Sequence, residues 1–157
     1  MLRVAGVRQA DLKGYSFARE DVNARALANA YGQTLGQVFT HEMKPYEVEI
    51  LVAQVGDTVD DDELYHILYD GTVMDEEGST VLGGQAEEIR RFLKDHYQSA
   101  MTLDDALQLG VRALSVTQNK TLTERDLEVA VLDRTKERRK FRRLPPEALS
   151  QLLGTAK

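Results

Sequence analysis

The feature that most constrains this fold is a change of sequence period at Pro45. Before it, residues 21–43 carry apolar side chains at helical spacing. After it, residues 46–55 first alternate apolar and acidic side chains and then run apolar, as a strand entering a buried sheet does. Proline has no backbone N–H and its ring clashes with the preceding turn, so the helix must stop near Met43. The stretch is therefore predicted to be a helix-to-strand junction.

The same stretch contains His41 followed by Glu42, the order found in zinc peptidases of the His-Glu-x-x-His type. Such a site needs a second histidine one helical turn later, and that position is Pro45. The other histidines, His66 and His96, are distant in sequence and lack ligand spacing, so all three are expected to serve packing or the surface. The sequence predicts no catalytic, metal-binding or cofactor-binding residue.

Composition indicates one soluble domain. The 157 residues suffice for a single core, and no apolar run approaches the roughly 18 residues of a membrane helix. The absence of cysteine and of a recognisable secretion signal favours a cytoplasmic protein. A formal net charge of −6 argues against a surface built as a whole for nucleic acid.

A long helix is predicted to start at an N-cap, Asp21, and two of its faces are informative. The face expected to enter the core contains Leu27, Tyr31, Leu35, Val38 and Phe39. Small residues recur every fourth position on the adjoining face, at Ala24, Ala28, Gly32 and Gly36. They lower helix propensity but permit close packing, so another element is expected to approach there.

The remaining pattern predicts an α+β or layered sandwich fold. A short helix ends near Gly14, and the long helix leads to three strands, "YEVEILVAQV", "LYHILYDG" and "STVLGG", with a tight turn at Asp70-Gly71. Two helices follow, the second opened by a Thr102–Asp105 capping box, then the strands "LEVAVLD" and "KFRRL" and a last helix. The middle strands need cover on both faces. One set of side chains is expected to lack it, either the alternate set or Val48, Ile50, Val52, Leu64, Ile67 and Val81.

Three further stretches each allow a binding interpretation and a structural one. Gly83-Gly84 before a helix suits a phosphate, but without Lys-Ser or a third glycine a turn is favoured. The stretch "RTKERRKFRR", residues 134–143, suits nucleic acid with Phe141 stacking, but a charged turn and edge strand explain it better. The acidic runs near residues 60 and 76 lack the pattern of a calcium loop, which favours solvated turns.

The ordered blocks together resemble the alpha subunits of the actinobacterial-type 20S proteasome. The resemblance is carried by "KGYSFAREDVNARALANAYGQTLGQVFTHEMKPYEVEILVAQVG", "ELYHILYDGTV", "VLGGQAEEI", "TLDDALQLGVRAL" and "LEVAVLDRTKERRKFRRL". In that family the Lys44-Pro45-Tyr46 junction carries the chain from the second long helix into the sheet. Nearly the whole chain takes part in the resemblance.

The resemblance implies an α+β fold, a four-layer αββα sandwich of the N-terminal-nucleophile hydrolase type. It also implies that residues 1–157 form a single proteasome-subunit domain, incomplete at its N-terminal side, without the gate, the first helix and the opening strands. The family's docking lysine belongs to that part, so no residue here inherits it. His41-Glu42-Met43-Lys44 replaces the tyrosine and paired glycines of many relatives, so a gating aromatic is not carried over either.

The function implied is that of a non-catalytic structural and gating subunit. Alpha subunits form the heptameric outer ring, seat the beta subunits, control substrate access and dock a ring-shaped AAA ATPase, with neither nucleic acid nor membrane as partner. The alternative is a catalytic beta-type peptidase whose N-terminal threonine lies upstream, since that threonine must be the first residue for its amino group to act as base.

Overall fold

The structure, a computed structural model, describes residues 2–118 and 122–154 and divides into two compact units, residues 1–77 and 78–157. The first contains α1 (Leu2–Ser16), α2 (Ala24–His41), β1 (Ile50–Gln54), β2 (Glu63–Ile67) and β3 (Val73–Asp75). The second contains α3 (Ala86–His96), α4 (Leu103–Ser115), β4 (Ala130–Leu132), β5 (Phe141–Arg143) and α5 (Pro146–Gly154). The order of element types agrees with the predicted one, although the third strand is a different segment from the one predicted.

Helix α2 begins two residues later than predicted, because Asn23 is its N-cap. The Asn23 side-chain oxygen accepts a hydrogen bond from the Ala26 N–H at 2.8 Å. Asp21 instead ends a short 3-10 helix (Arg19–Asp21), where its carboxylate accepts from the Ala18 N–H at 3.0 Å. The C-terminus of α2 at His41 agrees with the stop predicted from Pro45.

The sheet of the first unit is antiparallel with the order β1-β2-β3. The turn predicted at Asp70-Gly71 is confirmed, since the Leu68 N–H donates to the Thr72 carbonyl at 2.9 Å and Gly71 has a φ of +91°. The residues directly after the turn pair with β2, so the third strand is Val73–Asp75. The strand predicted at "STVLGG" is wrong, because residues 79–84 lie outside any strand.

The core of the first unit lies between α2 and one face of the sheet. Its buried residues are Ala24, Ala28, Leu35, Val52, Tyr65 and Ile67. The predicted core face of α2 is only partly right: Leu35 is fully buried, whereas Phe39 is 44% exposed. The small-residue face is the one that enters the core, because only small side chains let helix and sheet come this close.

Gly32 shows how close that approach is. A Cβ built on Gly32 would lie 2.7 Å from Val73 Cγ2 and 2.8 Å from the carbonyl oxygen of Gly71. One built on Gly36 would lie 3.5 Å from the Asp70 carbonyl oxygen, an ordinary contact. The close packing predicted for this face is confirmed, and its tightest point is Gly32.

The second unit has a smaller core of Val81, Ile89 and Ala113, packed between α3 and α4. The N-cap predicted at Thr102 is confirmed, because its hydroxyl accepts from the Asp105 N–H at 3.1 Å. The Asp105 carboxylate accepts from the Thr102 hydroxyl at 2.7 Å and not from the backbone N–H, as it would in a complete capping box. Strands β4 and β5 form a two-stranded antiparallel ribbon.

Substitution of Gly32 by alanine tests the helix–sheet contact. The added methyl group meets Val73 and the Gly71 backbone, so Gly32→Ala is expected to lower the free energy of unfolding by about 1–3 kcal/mol. The matched variant Gly36→Ala has room and gains helix propensity, so it is expected to leave stability unchanged or raise it by up to about 1 kcal/mol. Chemical denaturation of both variants gives the comparison, and equal effects would contradict the proposed packing.

Candidate functional site

The sheet of the first unit has one covered and one open face. Cross-strand partners share a face, so Val52, Tyr65 and Ile67 lie on the face that α2 covers. The opposite side, which we call the open face, carries the alternate side chains Leu51, Ala53, Leu64, His66 and Met74. Leu51 is 43% exposed although it lies in the middle of β1. The set named from sequence is wrong in part, because Val52 and Ile67 are covered by α2 whereas Leu64 lies on the open face.

A histidine flanked by two carboxylates occupies the centre of the open face. The Nε2 atom of His66 lies 2.7 Å from the Glu49 carboxylate, and Nδ1 lies 3.5 Å from the Glu76 carboxylate. The two glutamates are the diagonal neighbours of His66, one on each flanking side of β2, where cross-strand side chains can meet. His66 itself is only 3% exposed. The contact between Nε2 and Glu49 holds the ring within the sheet, whereas the buried Nδ1 atom has no hydrogen-bond partner among the described residues.

The contacts of His66 with Glu49 and Glu76 were not predicted from the sequence. The two glutamates are 17 and 10 residues away along the chain, and only the strand register brings them next to His66. A signal existed: the acidic residues alternate with apolar ones up to the start of β1. The other two histidines lie on the surface, one of the two environments expected for them from the sequence. His41 and His96 are exposed, and each ring lies near a carbonyl oxygen four residues earlier, of Gln37 and Phe92, at 3.0 and 2.8 Å.

The covered face carries a polar contact at its edge. The Tyr65 hydroxyl donates to the Glu63 carboxylate at 3.1 Å, and the Arg25 guanidinium lies 5.4 Å from the centre of the Tyr65 ring. Burial raises the pKa of Tyr65, and the adjacent Glu63 raises it further. Both effects keep the hydroxyl protonated, so Tyr65 acts as a hydrogen-bond donor and a packing residue.

The acidic run near residue 60 is organised by turns. The Asp61 carboxylate accepts from the Thr58 N–H and hydroxyl, and the Asp62 carboxylate accepts from the Gly56 N–H at 2.9 Å. In residues 2–118 and 122–154 no group of three or more His, Cys, Asp or Glu side chains is arranged to hold a metal ion. These hydrogen bonds support the interpretation of the run as a turn.

The other two stretches singled out from sequence also lie in turns. Gly83 has a φ of +118°, which glycine adopts readily, so the glycine pair serves the bend before α3. Residues 134–143 form the turn between β4 and β5 together with β5 itself. There the Asp133 carboxylate accepts from the Thr135 N–H and hydroxyl, and these hydrogen bonds lower the pKa of Asp133.

Comparison with known proteins assigns the chain to a family. Residues 7–132 match the family model described as proteasome subunit. The chain is 51% identical to a proteasome subunit alpha of Geodermatophilus obscurus, an alignment that covers 97% of this chain and 56% of that protein. It is 51% identical to one of Kineococcus radiotolerans and 48% identical to one of Frankia alni, with 98% of this chain covered and 68% and 67% of those proteins.

The chain therefore belongs to the proteasome subunit family, and its similarity is to the alpha type. It spans about 56 to 68% of the length of these curated relatives. In the described part of the chain no helix is both long enough and apolar enough to cross a membrane.

Removal of one carboxylate tests the role of the open-face histidine. Glu49→Ala leaves the buried Nε2 atom of His66 without its partner, so it is expected to lower the free energy of unfolding by about 1–2 kcal/mol. Glu47→Ala removes the same side chain two residues upstream, where it is exposed, and is expected to change stability by less than about 0.5 kcal/mol. Denaturant melts at neutral pH measure both. If the two variants are equally stable, the Glu49–His66 contact is not stabilising.

Proposed function

We propose that the chain is a non-catalytic alpha subunit of a cytoplasmic proteasome core particle. The observation that carries the proposal is identity of about 50% to alpha subunits over at least 97% of this chain. In this role the protein belongs to the outer ring, together with other alpha subunits in a heptamer, and seats the beta subunits. It takes part in protein degradation by controlling access to a chamber whose chemistry resides elsewhere.

The open face has a place in this proposal as an internal surface of the αββα sandwich. Helices α1 and α2 form an outer layer, the β1-β2-β3 sheet forms the next, and a second sheet packs on the open face. The apolar side chains Leu51, Leu64 and Met74 suit such a sheet-on-sheet contact, with the His66 cluster buried between the layers. The complete sandwich draws on family strands outside the region matched here.

The lack of a catalytic role is proposed on chemical grounds. An N-terminal threonine acts as nucleophile because its own free amino group is the base. Each threonine in the described residues follows another residue, so its nitrogen is part of a peptide bond and cannot accept the proton. The alternative, a beta-type peptidase with an upstream threonine, is disfavoured by the names of the relatives, which are alpha subunits.

Control of substrate access and docking of an AAA ATPase are also proposed, on the basis of the similarity to alpha subunits alone. Neither is assigned to a residue of this chain, because the family resemblance carries over neither the gating aromatic nor the docking lysine to a position in it. Nucleic acid and membrane are not part of the proposed role.

Co-expression with the beta subunit of the same genome tests the proposal. The tagged chain is expected to co-purify with the beta subunit in a ring-sized complex, detected by size-exclusion chromatography with light scattering. Peptide hydrolysis is expected only with the beta subunit present, and replacing that subunit's N-terminal threonine by alanine is expected to abolish it. Hydrolysis by the chain without the beta subunit, or failure to co-purify, would contradict the proposal.

A matched pair of variants links assembly to the open face. Leu51→Glu places a charge on a surface meant for another sheet, so the yield of complex is expected to fall by about tenfold or more. Met43→Glu makes the same kind of change at a fully exposed position after α2 and is expected to leave the yield unchanged.

A further inference from the structure

One buried side-chain atom among the described residues of the first unit lacks a hydrogen bond, and it is Nδ1 of His66. The imidazole is 3% exposed, and Nδ1 has no partner. Buried polar atoms are nearly always paired, so an unpaired one calls for a physical reason. The Glu76 carboxylate faces this atom, with an oxygen 3.5 Å from Nδ1.

The other ring nitrogen determines which proton the neutral ring carries. Nε2 lies 2.7 Å from the Glu49 carboxylate. An ionised carboxylate can only accept a hydrogen bond, so the proton of the neutral ring is on Nε2. Nδ1 then presents a lone pair to the second carboxylate, that of Glu76, and two acceptors face each other. A proton on Nδ1 would convert this repulsive pair into a donor and an acceptor.

The two glutamates are the charged groups that face His66 on the described open face, and the other side chains around the ring are apolar: Leu51, Ala53, Leu64 and Met74. The remaining charged groups of these strands lie on the covered face. Glu63 and Asp75 share that face with Tyr65, and Arg25 lies over the Tyr65 ring. No described lysine or arginine therefore pairs with the carboxylates of the His66 cluster, which consists of His66, Glu49 and Glu76.

We infer that the His66 cluster is a pH-sensitive link between the three strands of this sheet, closed by a proton taken up at Nδ1. With both nitrogens protonated, Nε2–H donates to Glu49 directly before β1 and Nδ1–H donates to Glu76 directly after β3, while the ring itself is on β2. The separation of Nδ1 from the Glu76 carboxylate shortens towards the roughly 2.7–2.9 Å of a charge-assisted hydrogen bond. The inference concerns the sheet alone and does not rest on the proposed assembly.

The direction of the pH effect follows from linkage between proton binding and folding. The unfolded chain lacks both carboxylate contacts, so the folded chain binds the proton at Nδ1 more tightly and gains stability as the pH falls through the imidazole range. Burial opposes a charge on the ring. The cluster does not bury all three charges, however, because the side chains of Glu49 and Glu76 are 37% and 22% exposed.

A proton suits the space between Nδ1 and Glu76 better than a metal ion does. Structural metal sites in proteins almost always use four ligands. The space between these two groups offers one ring nitrogen and one carboxylate, and the described residues provide no group of three or more metal-binding side chains. The second carboxylate, that of Glu49, is on the other side of the ring at Nε2.

Thermal melts of the 157-residue chain at about pH 8 and about pH 6, on either side of the ordinary imidazole titration, test the link through Glu76. Glu76→Gln offers an amide N–H to the neutral ring but cannot pair with the protonated one. The melting midpoint of the wild type relative to Glu76→Gln is expected to rise by at least about 3 °C from the higher to the lower pH. Glu77→Gln, the same change at the exposed next residue, is the matched control and is expected to follow the wild type. A difference between wild type and Glu76→Gln that does not grow in acid overturns the inference.

Nuclear magnetic resonance of the imidazole nitrogens in the wild-type chain detects the proton directly and needs no variant. At about pH 8 the His66 ring is expected to carry one proton, on Nε2, and at about pH 6 to carry protons on both nitrogens. The Nδ1 proton is expected to exchange slowly with water because it is buried and hydrogen-bonded. A folded chain in which Nδ1 has no proton at the lower pH contradicts the inference. So do ring signals at the higher pH that change on addition of EDTA, since Nδ1 would then hold a metal ion.

Discussion

The first unit depends on the contact between the glycine face of α2 and the turn that joins β2 to β3. Gly32 and Gly71 bring two backbones within van der Waals distance, where neither position has room for a methyl group. That approach seats Ala28 and Leu35 on Val52, Tyr65 and Ile67, which are the buried apolar residues of the sheet. The close contact thus depends on Gly32, a residue that contributes little helix propensity itself.

Covering one face of the sheet so closely has a consequence for the other. Strand residues alternate between faces, so every apolar side chain not taken by α2 falls on the open face. His66 with its two glutamates marks the centre of that face. In the proposed αββα sandwich this face is the one that receives the second sheet.

Much of this fold follows from sequence because the determining signals are local. Pro45 ends α2, Asp70-Gly71 sets the β2–β3 turn, and the Thr102–Asp105 pair opens α4, each through chemistry within a few residues. The errors concern competition between distant segments. The composition of residues 79–84 predicts a strand. In the structure, however, the tight turn at Gly71 lets Val73–Asp75 pair with β2, so residues 79–84 are not the third strand. The His66 cluster depends on register across three strands, which no local pattern specifies.

Helix α2 covers one face of the β1-β2-β3 sheet and leaves the other open, and thiol labelling tests this arrangement directly. The chain has no cysteine, so a single introduced thiol reports on one position without background. The rate of maleimide labelling of Leu51→Cys and Val52→Cys compares adjacent residues of one strand on opposite faces, 43% and 8% exposed as wild-type side chains. Labelling is expected to be at least about tenfold faster at Leu51→Cys than at Val52→Cys, since a buried thiol reacts only after local opening. Equal rates, or faster labelling at Val52→Cys, would contradict it.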